Sequence, residues 1–158
     1  MDNNDVLKRL RYALNIPDRK IVEMFASVDY AIGKDELEGI FKAEGEGGYV
    51  RCDDSLMEKF LDALVLSRRG KRKEDDAERR PRLSGQRHIS NNDILKRLRI
   101  ALELKDEELI AIMHLAGSEI SKSELGALFR KSGHPNYRPC GDQFLRLFLS
   151  GLTAKYRG

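Results

Sequence analysis

Cysteine is scarce in this sequence: Cys52 and Cys140 are the only two in 158 residues. That is too few for the disulfide framework of a small secreted domain, and a structural zinc site needs four clustered ligands. Reduced thiols are expected. Long apolar runs are also missing, since no stretch approaches the ~18 to 20 residues a bilayer span requires. The opening Met1-Asp2-Asn3-Asn4-Asp5 is acidic and polar where a secretory signal is basic and then apolar. A cytoplasmic protein without membrane contact is expected. Histidine is limited to His88, His114 and His134, which assemble neither a triad nor a metal cluster, and no glycine-rich phosphate loop occurs. No metal, no cofactor and no enzymatic activity are expected.

What the sequence has in quantity is charge. Charged residues make up 35% and apolar residues 41%, against the roughly 25% charged that is usual in globular chains. Sliding the sequence against itself by 88 residues aligns residues 3–70 with 91–158 without a gap, and about 25 of 68 positions are identical. The strongest block reads Asn-Asn-Asp-Val-Leu-Lys-Arg-Leu-Arg-Tyr-Ala-Leu from Asn3 and Asn-Asn-Asp-Ile-Leu-Lys-Arg-Leu-Arg-Ile-Ala-Leu from Asn91. Three segments are therefore expected: a helical domain at 1–70, a charged flexible linker at 71–90, and a second helical domain at 91–158. Their net charges are −3, +3 and +3, so the chain is electrically lopsided.

Hydrophobic periodicity places four helices in each copy, and no segment alternates with the period of two that marks a half-buried strand. Asn4 or Asp5 is positioned to cap a first helix whose Val6, Leu7, Leu10, Ala13 and Leu14 share a face. Asp18 and Asp106 are expected to cap the second helix, and Asp54 and Asp142 the fourth. Glycines Gly45 and Gly133 close the stretch containing the third. The fold class is all-α, two homologous four-helix domains in tandem. A domain of about 70 residues is marginal alone, which makes docking of the two copies a hypothesis that the linker leaves open.

Three segments of the second copy carry a resemblance. They are Asn92-Asp93-Ile94-Leu95-Lys96-Arg97-Leu98-Arg99, Glu119-Ile120-Ser121-Lys122-Ser123-Glu124-Leu125, and the stretch from Gly133-His134-Pro135-Asn136-Tyr137 to Leu145. With these the chain resembles the YehS-like bacterial family, built from two copies of a domain of unknown function. The resemblance implies an intracellular bacterial protein. It carries over no catalytic or binding residue.

Several residues are candidates for contact with a partner. Lys8, Arg9 and Arg11, repeated as Lys96, Arg97 and Arg99, could neutralise phosphates, or could form a solvated face with (i, i+4) pairing. The segment 106–131 has the outline of a helix-turn-helix carrying Lys122, Arg130 and Lys131, but the first copy has Asp35, Glu36 and Glu38 in the equivalent helix, which phosphate would repel. An echo of a calcium loop near Glu36 lacks the ligands. Tyr49 and Tyr137, beside Arg51 and Arg138, could stack on bases or seal the edge of a core. Cys52 and Cys140 precede helix starts, where a thiolate could be favoured, or are small buried thiols.

The expected function is that of a non-enzymatic intracellular binding or adaptor protein engaging a protein partner, with the groove between docked copies as the site. RNA, and less readily DNA, is the alternative, through Lys96, Arg97, Arg99, Lys122, Arg130, Lys131, Arg138 and the basic linker. Oligomeric state is open at this level.

Overall fold

The computed structural model describes residues 1–69 and 88–157. Among them are eight helices and no strand. The first copy holds α1 Asn3–Leu14, α2 Asp18–Ala26, α3 Lys34–Ile40 and α4 Asp54–Arg69; the second holds α5 Asn91–Leu102, α6 Asp106–Leu115, α7 Lys122–Leu128 and α8 Asp142–Arg157. The chain is an all-α tandem duplication with four helices in each copy. Of the expected linker, residues 71–87 lie outside the described residues, while 88–90 lead directly into α5.

The helix caps differ from those expected. Asp2, not Asn4 or Asp5, caps α1 by accepting from the Asp5 N–H at 2.9 Å. Ser90 caps α5 in a reciprocal box with Asp93. Asn4 is unavailable because its side chain turns inward. Pro17 and Lys105 hold the cap positions of α2 and α6; Asp18 and Asp106 lie inside the first turn, where they complement the helix dipole. At α4 the cap is Asp53, which accepts from the Leu56 N–H at 2.7 Å. Asp54 is thereby freed for another task. The third helices end at Ile40 and Leu128, so Gly45 and Gly133, with φ of 93° and 96°, turn the loop beyond rather than the helix end.

The two most extensive helix pairings join the copies. α1 packs on α8 and α4 packs on α5. Both pairs run parallel. In the first, the Met1 ammonium meets Asp142 at the start of α8 at 2.7 Å, and Arg157 near its end lies 4.2 Å over the ring of Tyr12. In the second, the Ile89 N–H reaches Asp54 at 3.1 Å and Arg97 reaches Glu58 and Asp62 farther along. Arg68 and Tyr156, equivalent residues of the two copies, meet each other at 5.9 Å. Such a contact between equivalents places them on the approximate two-fold line that relates the copies.

Four long helices thus start at one end and finish at the other. Parallel dipoles side by side repel, and charge placement offsets this. Asp5, Asp54, Asp93 and Asp142 occupy first turns, and Arg11, Arg99, Lys155 and Arg157 occupy last turns. Buried Leu7, Leu10, Phe60, Leu61, Leu95, Leu98, Phe148 and Leu149 from both copies belong to one continuous core.

Among the described residues two polar side chains lie inside that core, Asn4 and Asn92 at 3% and 7% exposure. Asn4 donates to the carbonyls of Ile40 (3.0 Å) and Val50 (2.9 Å) and accepts from the Cys52 N–H (2.9 Å). Asn92 repeats this with Leu128 (2.9 Å), Arg138 (3.0 Å) and Cys140 (2.8 Å). Each asparagine therefore ties its own α1 or α5 to the loop that leads into the last helix of the copy. Their neighbours Asn3 and Asn91 donate to Asp54 and Asp142 at 2.9 and 2.8 Å. Replacing Asn92 with Ala strands a buried N–H, a buried carbonyl and a part-buried carbonyl, and is expected to cost about 3 kcal/mol in urea unfolding. An unshifted urea midpoint would contradict this.

A second close approach joins α6 to α8. A methyl group built on Gly151 falls 2.2 Å from the carbonyl oxygen of Ile112, whereas the equivalent position in the first copy is Ala63, fully buried. Gly151→Ala is expected to lower the melting temperature, because overpacking of about 1–3 kcal/mol outweighs the ~1 kcal/mol gain in helix propensity. Gly126→Ala, where nothing lies within 4 Å, is expected to raise it. Calorimetry of the two variants reads both signs.

Candidate functional site

The cations nominated from the sequence divide into those the fold consumes and those it leaves outside. Lys8 donates to the carbonyl of Lys42 at 3.0 Å. Arg11 bonds Asp18 and lies 4.5 Å over the Phe41 ring; Arg99 bonds Asp106 at 2.7 Å and lies 4.6 Å over Phe129. These two arginines brace the first helix of each copy against the start of the second and the end of the third. Arg97 goes farther in: its guanidinium is shared between Glu58 and Asp62 of α4, with 12% of the side chain exposed. It is the polar clasp of the α4/α5 seam.

The remaining candidates face solvent. Lys122 pairs with Glu107 at 3.4 Å and Arg138 with Glu124 at 3.5 Å, all four well exposed. Lys96, Arg130 and Lys131 are exposed, and none makes an ion pair among the described residues. Arg130 and Lys131 are adjacent in sequence just beyond α7, and Lys96 lies on α5. In the first copy the Lys8 ammonium reaches the carbonyl of Lys42, and Lys96 and Arg130 are the equivalents of those two residues. Arg130 and Lys131 lie in the turn beyond α7, which ends at Leu128 after seven residues, and not on a recognition helix. Tyr49 and Tyr137 are half-buried. Burial, with Asp2 and Glu44 nearby, pushes the Tyr49 hydroxyl above its ordinary pKa, an acidic setting for a residue nominated to meet nucleic acid.

Arg9 is the exception among the first-helix arginines. It is exposed, although its equivalent Arg97 is inside. Around it on the α1/α8 seam stand residues that the single-sequence reading passed over: Tyr12, at 59% exposure, Arg146, and Arg157, which also donates to the Tyr12 carbonyl at 3.0 Å. The signal was available in the repeat. Aligned column by column, Glu58 becomes Arg146 and Asp62 becomes Ser150, a charge reversal at one position and a lost charge one turn away.

Away from the seams, a cavity of about 140 Å³ near the start of α4 is lined in part by Tyr30, Glu36, Arg51, Asp53 and Lys59. The Tyr30 hydroxyl donates to the Glu36 carboxylate at 2.7 Å, and this bond, with burial, pushes its pKa up to about 12. The second copy has Ser118, Pro139, Gly141 and Leu147 at four of these five positions, so this chemistry is not repeated. The three histidines are scattered: His88 beside Asp54 at 3.1 Å, His114 beside Glu119 at 2.7 Å, and His134 accepting from the Asn136 N–H at 3.0 Å. Among the described residues no group of His, Cys, Asp and Glu is placed to hold a metal ion, and no helix is long and apolar enough to cross a membrane.

Comparison with known proteins follows the same division of the chain. The family model for proteins of unknown function DUF1456 matches twice, at residues 3–70 and 91–158. Over 155 residues the chain is 37% identical to the uncharacterized protein YehS of Escherichia coli (strain K12), an alignment that covers 98% of this chain and 96% of that one. The YehS-like character expected from the three motif segments is thus shown. No solved structure matches.

Both cysteines are buried and free. Desolvation pushes the Cys52 thiol up to about 12, helped by Asp53 and Asp54, and the Cys140 thiol up to about 11, helped by Asp142. The helix starts next to them do not reverse this. Native protein at pH 8 is expected to resist alkylation by iodoacetamide until it is unfolded, when both thiols react. Stability should fall as pH rises from about 9 toward 11, because the unfolded chain ionises these thiols first while the folded chain keeps them neutral. Rapid stoichiometric labelling of the native protein would refute the assignment.

Proposed function

We propose that this chain, which belongs to the DUF1456 family of proteins of unknown function, is a non-enzymatic binding protein that engages a protein partner on the outer face of the α1/α8 seam. One observation carries the reading. The two seams between the copies are equivalent in helix content, but one is closed by Arg97 with Glu58 and Asp62, while the other leaves Arg9, Tyr12, Arg146 and Arg157 exposed to solvent. An exposed tyrosine flanked by arginines is the composition of a partner-facing patch, since these residue types dominate binding hot spots. The seam takes the place of the groove expected from the sequence.

RNA is the second reading, favoured by the exposure of Lys96, Arg130 and Lys131, none of which makes an ion pair among the described residues. It loses support from Arg97 and Arg99, which are engaged within the fold, and from Lys122, paired with Glu107.

The test is a crosslinking pull-down from the native host with three baits: the wild type, Tyr12→Glu, and Ile100→Glu at the equivalent position on the other seam. A protein partner that survives nuclease, is kept by Ile100→Glu and is lost with Tyr12→Glu is the expected result. A catch that nuclease abolishes, and that Tyr12→Glu does not affect, would transfer the function to Lys96, Arg130 and Lys131 and to RNA.

A further inference from the structure

The chemistry of the partner can be read from the seam that is already closed. On α4, Glu58 and Asp62 stand one turn apart and together take Arg97 of α5. The equivalent set on the other seam is Arg9 of α1 against Arg146 and Ser150 of α8. The register is the same on both sides, because the Met1 ammonium meets Asp142 as the Ile89 N–H meets Asp54. The position equivalent to Glu58 on Arg9's seam thus carries an arginine, and the position equivalent to Asp62 a serine, where Arg97 finds two carboxylates. Both arginines stay exposed, and neither makes an ion pair among the described residues; Arg146 gives one N–H to Gln143 at 2.9 Å. The nearest acids on these helices form no ion pair with either arginine. Asp142 is bonded to Met1 and Asn91, which, with a lesser attraction from Arg146 one turn along, draw its pKa below the usual carboxylate value, and Asp5 stands one turn before Arg9 and is exposed.

We infer that the α1/α8 seam docks a partner helix carrying two carboxylates four residues apart, which supply Arg9 and Arg146 with what Glu58 and Asp62 supply to Arg97. Tyr12, one turn beyond Arg9 and beneath Arg157, is the apolar contact. The inference rests on the protein-partner reading above and gives its chemistry. Carboxylate is preferred to a nucleic-acid phosphate for two reasons. The same chain satisfies the equivalent arginine with a glutamate and an aspartate, and a long polyanion laid along this seam would meet Asp5 and Asp142 as well. Arginine forks suit paired carboxylates geometrically.

The full chain would be titrated at low salt with three labelled probes: an alanine-rich helical peptide bearing glutamates four residues apart, its glutamine counterpart, and a 15-mer of uridine. Binding of the glutamate peptide alone is expected, with at least a tenfold loss in the Arg9→Gln, Arg146→Gln double variant. A second variant, Arg146→Glu with Ser150→Asp, gives α8 the residues of α4. It is expected to draw Arg9 inward, raise the melting temperature and abolish peptide binding. An unchanged melting temperature in that variant would mean that Arg9 does not occupy the counterpart of the Arg97 position, and would overturn the inference. Equal peptide binding by the wild type and the double glutamine variant would overturn it too. Uridine binding lost in the same double variant would reassign the seam to phosphate. If no peptide binds while the Tyr12-dependent protein partner persists, the carboxylate assignment fails and the partner reading stands.

Discussion

Each copy has two long amphipathic helices and too few other residues to cover them, and the structure follows from that shortage. α1 and α4 of the first copy find their cover on α8 and α5 of the second. A domain of about 70 residues buries only about 60% of its unfolded surface; by sharing one core the two copies behave as a unit of about twice that size. The covering helices are parallel, which sets their dipoles against one another. The acidic first turns and basic last turns are the response. Much of the high charge content therefore has a structural origin, before any partner is considered.

The motif at the head of each copy has the same kind of explanation. Asn-Asn-Asp supplies a donor to the start of the last helix through Asn3 or Asn91, three core hydrogen bonds through Asn4 or Asn92, and an N-terminal acid through Asp5 or Asp93. The following Arg11 and Arg99 brace helices two and three. Identity between copies in this block thus records a shared fold. The informative positions are those where the copies disagree although their neighbours agree, such as Glu58 against Arg146.

Much of the fold was legible because helical periodicity and an ungapped repeat are local signals. The four helices per copy, their buried faces at Leu7, Leu10, Phe60 and Leu64, and the family resemblance all came from runs of adjacent residues. Cap identities were misread by one to three places because an aspartate or asparagine at a helix start can serve the N–H groups, the dipole or a distant loop, and only the fold decides among these. Asn4 was lost to the core in this way. The site was far less legible. Whether an arginine ends up inside, like Arg97, or outside, like Arg9, depends on residues about 40 to 140 positions away across a seam between copies, and the side-by-side placement of α1 with α8 leaves no trace in either segment alone.

The parallel run of α4 and α5 also constrains the chain that joins them. α4 finishes at the far end of the bundle and α5 begins at the near end, so whatever connects Arg69 to His88 must cover the length of a sixteen-residue helix, about 24 Å at 1.5 Å per residue. Seven or eight extended residues suffice for that distance at roughly 3.4 Å each, and eighteen stand between the two ends. Connector length therefore has a floor, with ample slack above it. Beneath that floor the halves could still find each other, but only between two molecules, so the spacer decides whether the duplication closes on itself or is completed by a neighbour.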